Sequence, residues 1–269
     1  LHNRSSVQAT VTPTITAATG VSVDAVGVQT LQPGASVTLP LKVTVASDAA
    51  AFQLELTGTI ALDDQSYPVS DSYFTLPLVL GSIEDGYNNV GISDNADPGA
   101  ANFDGSGYSY SAQALGAAGV VPGGQVQSGA VTFTWPDVAA GQPDNLVAAG
   151  QSVAPRGSGQ QLDILGAASN GTGQGEGTIH YTDGTTSTYT LTLTNWTNST
   201  AADGDTLVAT AQGWNRPAGS TYPADMKVSI FSTTVALTAG KTVSYVQLPS
   251  AVTGSQPGTK LHIFDMTLG

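Results

Sequence analysis

Apolar side chains in this chain return at every second position. Val37, Leu39, Leu41, Val43 and Val45 alternate with polar residues or proline. Phe52, Leu54 and Leu56 do the same, as do Val131, Phe133 and Trp135, and then Tyr189, Leu191 and Leu193. A period of two belongs to a strand with one buried face. Only the short stretch from Ser111 to Val120 has a helical look. The pattern predicts an all-β protein. Gly, Ser and Thr supply about a third of the 269 residues, and charged residues only 10%, against roughly 25% in most soluble proteins. A coiled coil or helical bundle needs the opposite mixture. The 40% of apolar residues can still build a core.

Charge narrows the partners. Seven Lys and Arg face twenty Asp and Glu, a net charge of −13. No basic residue lies between Lys42 and Arg156. With no basic cluster to neutralise phosphates, the chain is not a nucleic-acid binder. No apolar run reaches 18 residues, so no transmembrane helix is expected. There is no cysteine, which excludes disulfides, thiolate zinc sites and a cysteine nucleophile. This composition suits an exported bacterial protein that folds without oxidation, so a secreted location is expected. The start at Leu1, without methionine or leader, is read as a mature protein or a piece of a longer exported one.

The first 80 residues read as an immunoglobulin-like β-sandwich. Pro33-Gly34 turns the chain into a strand along Val37–Val45, which Pro40 places at an edge or kinks. Another strand is expected from Tyr73 to Leu80. Residues 81 to 110 then change character, with acids, Gly and Asn and no Lys or Arg. A domain boundary is expected there, giving units 1–80 and 81–269. In the second unit, Asp183-Gly184 marks a hairpin between Ile179-x-Tyr181 and the return strand. The run from Leu261 to Leu268 reads as a strand paired inside a sheet. These signals predict a jelly-roll sandwich.

Several motifs, in order, carry a resemblance. They are Asn88-Asn89-Val90-Gly91-Ile92-Ser93-Asp94, Asn102-Phe103-Asp104-Gly105-Ser106-Gly107-Tyr108, Thr132-Phe133-Thr134-Trp135-Pro136-Asp137, Tyr181-Thr182-Asp183-Gly184-Thr185, Gly240-Lys241-Thr242-Val243 and Leu261-His262-Ile263-Phe264. Residues 81 to 269 resemble the C-terminal galactose-binding-like module of secreted actinobacterial glycoside hydrolases. Residues 31 to 56 resemble the Ig-like domain that precedes such modules. The resemblance implies an accessory region of a carbohydrate-active enzyme, with a glycan as ligand and a catalytic glycosidase domain in the parent chain.

No active site is visible. His180 and His262 lie in strands, His2 lies near residue 1, and no Gly-x-Ser-x-Gly elbow occurs. A glycosidase needs two carboxylates across a sugar-sized cleft, and twenty acids permit a pair without identifying one. Glu84, Asp85, Asp94, Asp97 and Asp104 lie among Gly and Asn, a setting in which Ca²⁺ gathers carboxylate and carbonyl oxygens. Jelly-roll carbohydrate modules hold structural Ca²⁺ near their chain ends, which adds Asp265. The alternative is a solvated loop whose Asp side chains cap turns. Sugar binding uses an aromatic face with polar neighbours. Trp196, Trp214, Asn215, Arg216 and Tyr222 are the candidates, and the alternative for both Trp is cover over the core. Trp135 is expected in the core. The expected function is non-catalytic carbohydrate binding or scaffolding. Two alternatives stay open: a part of the glycosidase that contributes to its cleft, and a ligand-free spacer or adhesion module.

Overall fold

The computed structural model describes residues 1–17, 21–45, 52–62, 65–76, 79–216 and 226–269. The chain divides into two compact units, Leu1–Leu78 and Val79–Gly269. The first unit contains β1 (Ala9–Ala17), β2 (Val21–Val23), β3 (Gln29–Leu31), β4 (Val43–Val45), β5 (Phe52–Leu62) and β6 (Gln65–Leu76). Its antiparallel sheet has the order β3-β1-β5-β6, and β2 pairs with β4 as a separate ribbon. The strand expected along Val37–Val45 is confined to β4. Pro40 offers no N–H to a ladder, and the N–H of Val37 is taken by the carbonyl of Leu1 at 2.9 Å. The strand expected from Tyr73 divides into β6 and a short piece at Val79–Leu80. Residues 77 and 78, and the side chains of Phe52, Leu54 and Leu56, lie outside the described residues.

In the second unit β7 (Val79–Leu80), β8 (Ile92–Ser93) and β9 (Ser109–Ser111) come before α1 (Ala112–Ala117). Next are β10 (Gln125–Ser128), β11 (Val131–Thr134), β12 (Leu146–Val147), β13 (Ser152–Val153) and β14 (Arg156–Gly157). Then come the long strands β15 (Gln161–Ser169), β16 (Gly173–Tyr181), β17 (Thr186–Leu193) and β18 (Asp205–Gln212). The chain continues with β19 (Trp214–Asn215), β20 (Lys227–Ala236), β21 (Val243–Gln247), β22 (Thr253–Gly254) and β23 (Lys260–Leu268). The protein is all-β, with one short α-helix among the described residues, in the segment where the sequence suggested it. Ser111 caps that helix by accepting from the N–H of Ala114.

Two sheets form the sandwich. The central one has the order β12-β23-β15-β20-β18, and the outer one β17-β16-β21-β13-β7. Leu162, Ile164, Ile179, Leu191, Val246 and Ile263 fill the space between them. The central sheet also has a second covered face. There Phe103, Tyr110, Leu115, Phe133 and Trp135, from β9, α1 and the loops and hairpin around them, pack on Phe231 and Phe264. β15, β20 and β23 are therefore buried on both sides over most of their length. Such strands lose their alternation and read as unbroken apolar runs, as Leu261–Met266 does.

β23 is bulged. Leu165 pairs with Asp265, but Gly166 already pairs with Ile263, leaving Phe264 as the extra residue. A bulge resets the facing of the side chains. Here Phe264 joins the core that holds Phe103 and Trp135, while Ile263 and Met266 face the outer sheet. The Tyr87 hydroxyl donates to the Phe264 carbonyl at 2.6 Å. A Cβ at Gly166 would fall 2.9 Å from Leu193 and still closer to the His262 carbonyl, so glycine is required opposite the bulge.

The hairpin expected at Asp183-Gly184 joins β16 to β17, in register from Gly173↔Leu193 to His180↔Thr186. Tyr189 lies over Gly177, where a Cβ would meet two ring carbons at 2.5 Å and the Gln247 carbonyl at 2.6 Å. Gly177→Ala is expected to cost about 1–3 kcal/mol through overpacking. The thermal midpoint should fall by roughly 2–4 °C for each kcal/mol. Calorimetry of the variant checks this, and an unchanged midpoint would contradict the close approach.

Candidate functional site

Of the residues expected to bind sugar, Trp196 and Asn215 are buried and Trp214 and Arg216 are half-buried. Trp196 is 2% exposed. Its ring lies 4.9 Å from Phe103, 5.0 Å from Tyr110 and 5.3 Å from Trp214, centroid to centroid. It is a core residue, and no face of its ring is open to a ligand. In the loop that follows β17, residues 197–200 are exposed, but Thr194 and Trp196 are buried, Trp196 within the second layer on the central sheet. Asn215 is fully buried too. Its Nδ2 donates to the carbonyl and hydroxyl of Ser93 at 3.1 and 3.0 Å, binding β19 to β8. Tyr222 lies outside the described residues. Trp214 and Arg216 remain half-buried. The Trp214 ring stacks on Tyr108, 4.7 Å between centroids and tilted by 34°. This pair lies beside the β9–β19 ladder, where Trp214 is in register with Tyr110.

Among the acids expected to hold calcium, Asp94 and Asp104 are engaged by nearby residues. Asp94 accepts from the N–H of Ala96 and from Gln113, and these bonds hold its carboxyl below the usual range. Asp104 accepts from the N–H groups of Ser106 and Tyr108. Glu84 and Asp85 start an exposed 3₁₀ turn, and Asp97 precedes another. Asp265 is buried and paired with Arg156 at 2.5 Å. Burial raises its pKa, while the Thr134 N–H and the Arg156 guanidinium pull it back. Among the described residues, no three His, Asp or Glu side chains gather where they could hold a metal ion.

A buried relay, marked by no sequence pattern, crosses the central sheet. Asp144 accepts from the N–H groups of Gly91 and Ile92 and, at 2.6 Å, from Asn145 Nδ2. Asn145 Oδ1 lies 2.8 Å from His262 Nδ1, and His262 Nε2 lies 3.0 Å from Ser169 Oγ. Because Asn145 spends its amide on Asp144, its oxygen accepts, so Nδ1 carries the imidazole proton and Nε2 accepts from Ser169. The imidazole is stacked on Phe103, 3.9 Å between centroids. This order of groups is that of a nucleophile and its base, but Ser169, His262 and Asn145 are all 0% exposed. No substrate reaches the hydroxyl, and the relay joins β15, β23 and the loop before β12.

A second feature the sequence reading missed lies on the open side of the outer sheet. His180 and Tyr245 are cross-strand partners whose rings stack at 4.1 Å and 15°. Both are half-buried. Thr178 and Gln247 form the next cross-strand pair on the same face. The alternation Gln174-x-Glu176-x-Thr178-x-His180 was the signal that could have found this face.

These observations define a mainly antiparallel β-sandwich domain whose central sheet is covered on both faces. Among known families, the AziU2-like beta-sandwich domain matches residues 77–250. The chain belongs to that family. The match includes both sheets up to β21 and stops short of β22 and β23. No curated protein matches the chain.

Two predictions follow from the burial of these groups. Trp196→Ala should cost about 3–5 kcal/mol, and Trp214→Ala, half-buried on Tyr108, about 1–2 kcal/mol. Urea titration separates them, and equal costs would contradict the assignment of Trp196 to the core. The second concerns His262, whose pKa burial lowers from 6.5 to about 3. The unfolded state then binds more protons below pH 6.5, so this stabilisation is present above 6.5 and is lost as pH falls. Asp144 has the opposite sign. Burial raises its carboxyl from 3.8 to about 7, so its contribution is present below pH 3.8 and is lost as pH rises through 7. Asp144 is common to wild type and His262→Leu, so it drops out of their comparison. The stability gap between them should shrink by about 2–3 kcal/mol from pH 7.5 to 4.5. A gap that widens on acidification would contradict a neutral buried imidazole.

Proposed function

We propose that the chain is a non-catalytic carbohydrate-binding region of an exported bacterial glycoside hydrolase. The observation that carries this reading is the Trp214–Tyr108 stack. One indole, half-buried, is held by two rings, Tyr108 at 4.7 Å and Trp196 at 5.3 Å between centroids, with Arg216 two positions along the chain. A fixed aromatic plane packs on the apolar face of a pyranose, and a guanidinium donates to adjacent hydroxyls. Such a platform suits a short ligand of one or two sugars, because Trp196 and Asn215 are committed to the interior and do not extend it. The reading as an accessory region also draws on the sandwich architecture and on the motifs that resemble glycosidase modules. The buried Ser169 hydroxyl supports the non-catalytic part.

The test is calorimetric titration of the whole chain with neutral mono- and disaccharides, for wild type and Trp214→Ala. Wild type should bind at least one of them, and the folded variant should bind it at least tenfold more weakly. No binding by wild type, or full binding by the variant, would overturn the reading.

A further inference from the structure

We propose that the open face of the outer sheet is a second binding site, a track for a linear, uncharged oligosaccharide. The Tyr245–His180 stack is its platform, and Thr178, Gln247 and Gln174 are its hydrogen-bonding partners. The track shares the ligand class of the Trp214 platform, but it lies on other elements and does not depend on that platform.

The argument starts from register. β16, β17 and β21 place their alternate side chains on one grid. His180 is flanked by Tyr245 on one side and Thr186 on the other, and Thr178 by Gln247 and Thr188. Further along, Glu176 pairs with Thr190 and Gln174 with Thr192. Every one of these side chains is exposed or half-buried, while the residues between them on β16, Gly177, Ile179 and Tyr181, face the core. From His180 to Gln174 the grid runs six residues, or about 20 Å at roughly 3.3 Å per residue, room for several sugar units end to end. The far end opens into a groove of about 290 Å³, bordered by Gln174, Thr192, Thr253 and Ser255. An aromatic platform at one end and a polar groove at the other, joined by hydroxyls and amides, suit an extended glycan.

Charge selects among occupants. Glu176 is the one ionisable residue on the grid besides His180 and Tyr245, and no Lys or Arg stands on it. In a chain of net charge −13, an anionic ligand meets repulsion and finds no cation here. A cationic partner would find one carboxylate. A row of hydroxyls and amides is matched by a ligand that is itself uncharged and rich in hydroxyls. Burial lowers the His180 pKa, so its imidazole is a neutral hydrogen-bonding group at neutral pH. The Tyr245 ring is already fixed by its stack on His180, so little side-chain freedom is lost when a sugar packs against it.

The experiment uses the full chain and calorimetric titration with neutral linear gluco-, xylo-, manno- and galacto-oligosaccharides of two and six units. Four proteins are compared: wild type, Tyr245→Ala, Thr188→Arg and Trp214→Ala. Thr188 is exposed, so the arginine sits over the track and leaves the core untouched, and it keeps the test intact if Tyr245→Ala folds poorly. Wild type should bind one hexasaccharide at least tenfold more tightly than its disaccharide. Thr188→Arg and folded Tyr245→Ala should lose at least tenfold of hexasaccharide affinity, and Trp214→Ala should keep it. Hexasaccharide binding that survives both changes on the face overturns the track, and so does wild type that binds no hexasaccharide. Loss in Trp214→Ala alone overturns the track while leaving the Trp214 platform standing. Light scattering supplies a further arm: a wild-type dimer that Thr188→Arg splits would make this face a contact between copies and overturn the proposal.

Discussion

A sheet covered on both faces has no solvent side on which to place a polar group. That constraint governs the second unit of this protein. A buried hydrogen-bonding side chain in β15, β20 or β23 has only interior partners to turn to, and one left unpaired costs about 1–3 kcal/mol. The relay from Asp144 through Asn145 and His262 to Ser169 is one answer. Asp265 is another: it accepts from the Thr134 N–H at 2.7 Å and from Arg156, joining the β10–β11 hairpin and β14 to the middle of the sheet. Asp163 is met only in part: one oxygen accepts from Thr234 at 2.6 Å, and the other has no partner among the described residues. Each bond crosses between strands or layers, so the polar groups fix register as well as satisfying one another.

The bulge in β23 belongs to the same logic. If Phe264 paired with Leu165 in regular register instead of bulging, Asp265 would stand opposite Ile164 and face the space between the two sheets. With the bulge, the carboxylate meets Thr134 and Arg156, and Phe264 completes the aromatic cluster under Trp135, 4.4 Å between centroids. The bulged register thus decides which face receives a charge. The glycine at position 166 and the Tyr87 hydroxyl are its local conditions.

Much of this architecture was legible in the sequence, and the failures have physical causes. Alternation found the strands, Asp183-Gly184 found the hairpin, and the terminal apolar run announced an interior strand. Trp135 was read as core from its alternation with Val131 and Phe133. Trp196 and Asn215 were misread because their neighbours, Asn, Thr, Gly and Arg, look like loop. They are loop or short strand in local conformation, but a second layer on the central sheet buries them, and no local pattern reports a third layer. The relay was invisible for a related reason: His262 lies 117 residues from Asn145 and 93 from Ser169. The Asp-rich loops were legible as acidic and Gly-rich. What the structure adds is that Asp94 and Asp104 serve backbone N–H groups within a few residues. The His180–Tyr245 face was written in the alternation of β16, yet any sandwich has an outward polar face, and the stacking of two rings across strands depends on register.

The place of β23 in the chain has a consequence for how the second unit is made. This strand lies between β12 and β15 in space but follows both in sequence. Its bonds reach back 177 residues to Tyr87 and 109 to Arg156. Contacts of such long range must close large loops before they stabilise anything, which slows folding. During synthesis at about 5–20 residues per second, β12 and β15 wait for several seconds with the gap between them empty. Until β23 has left the ribosome, β15, β20 and β18 can pair but β12 and β14 have no partner strand, and the open edge of β15 stays available to a chaperone.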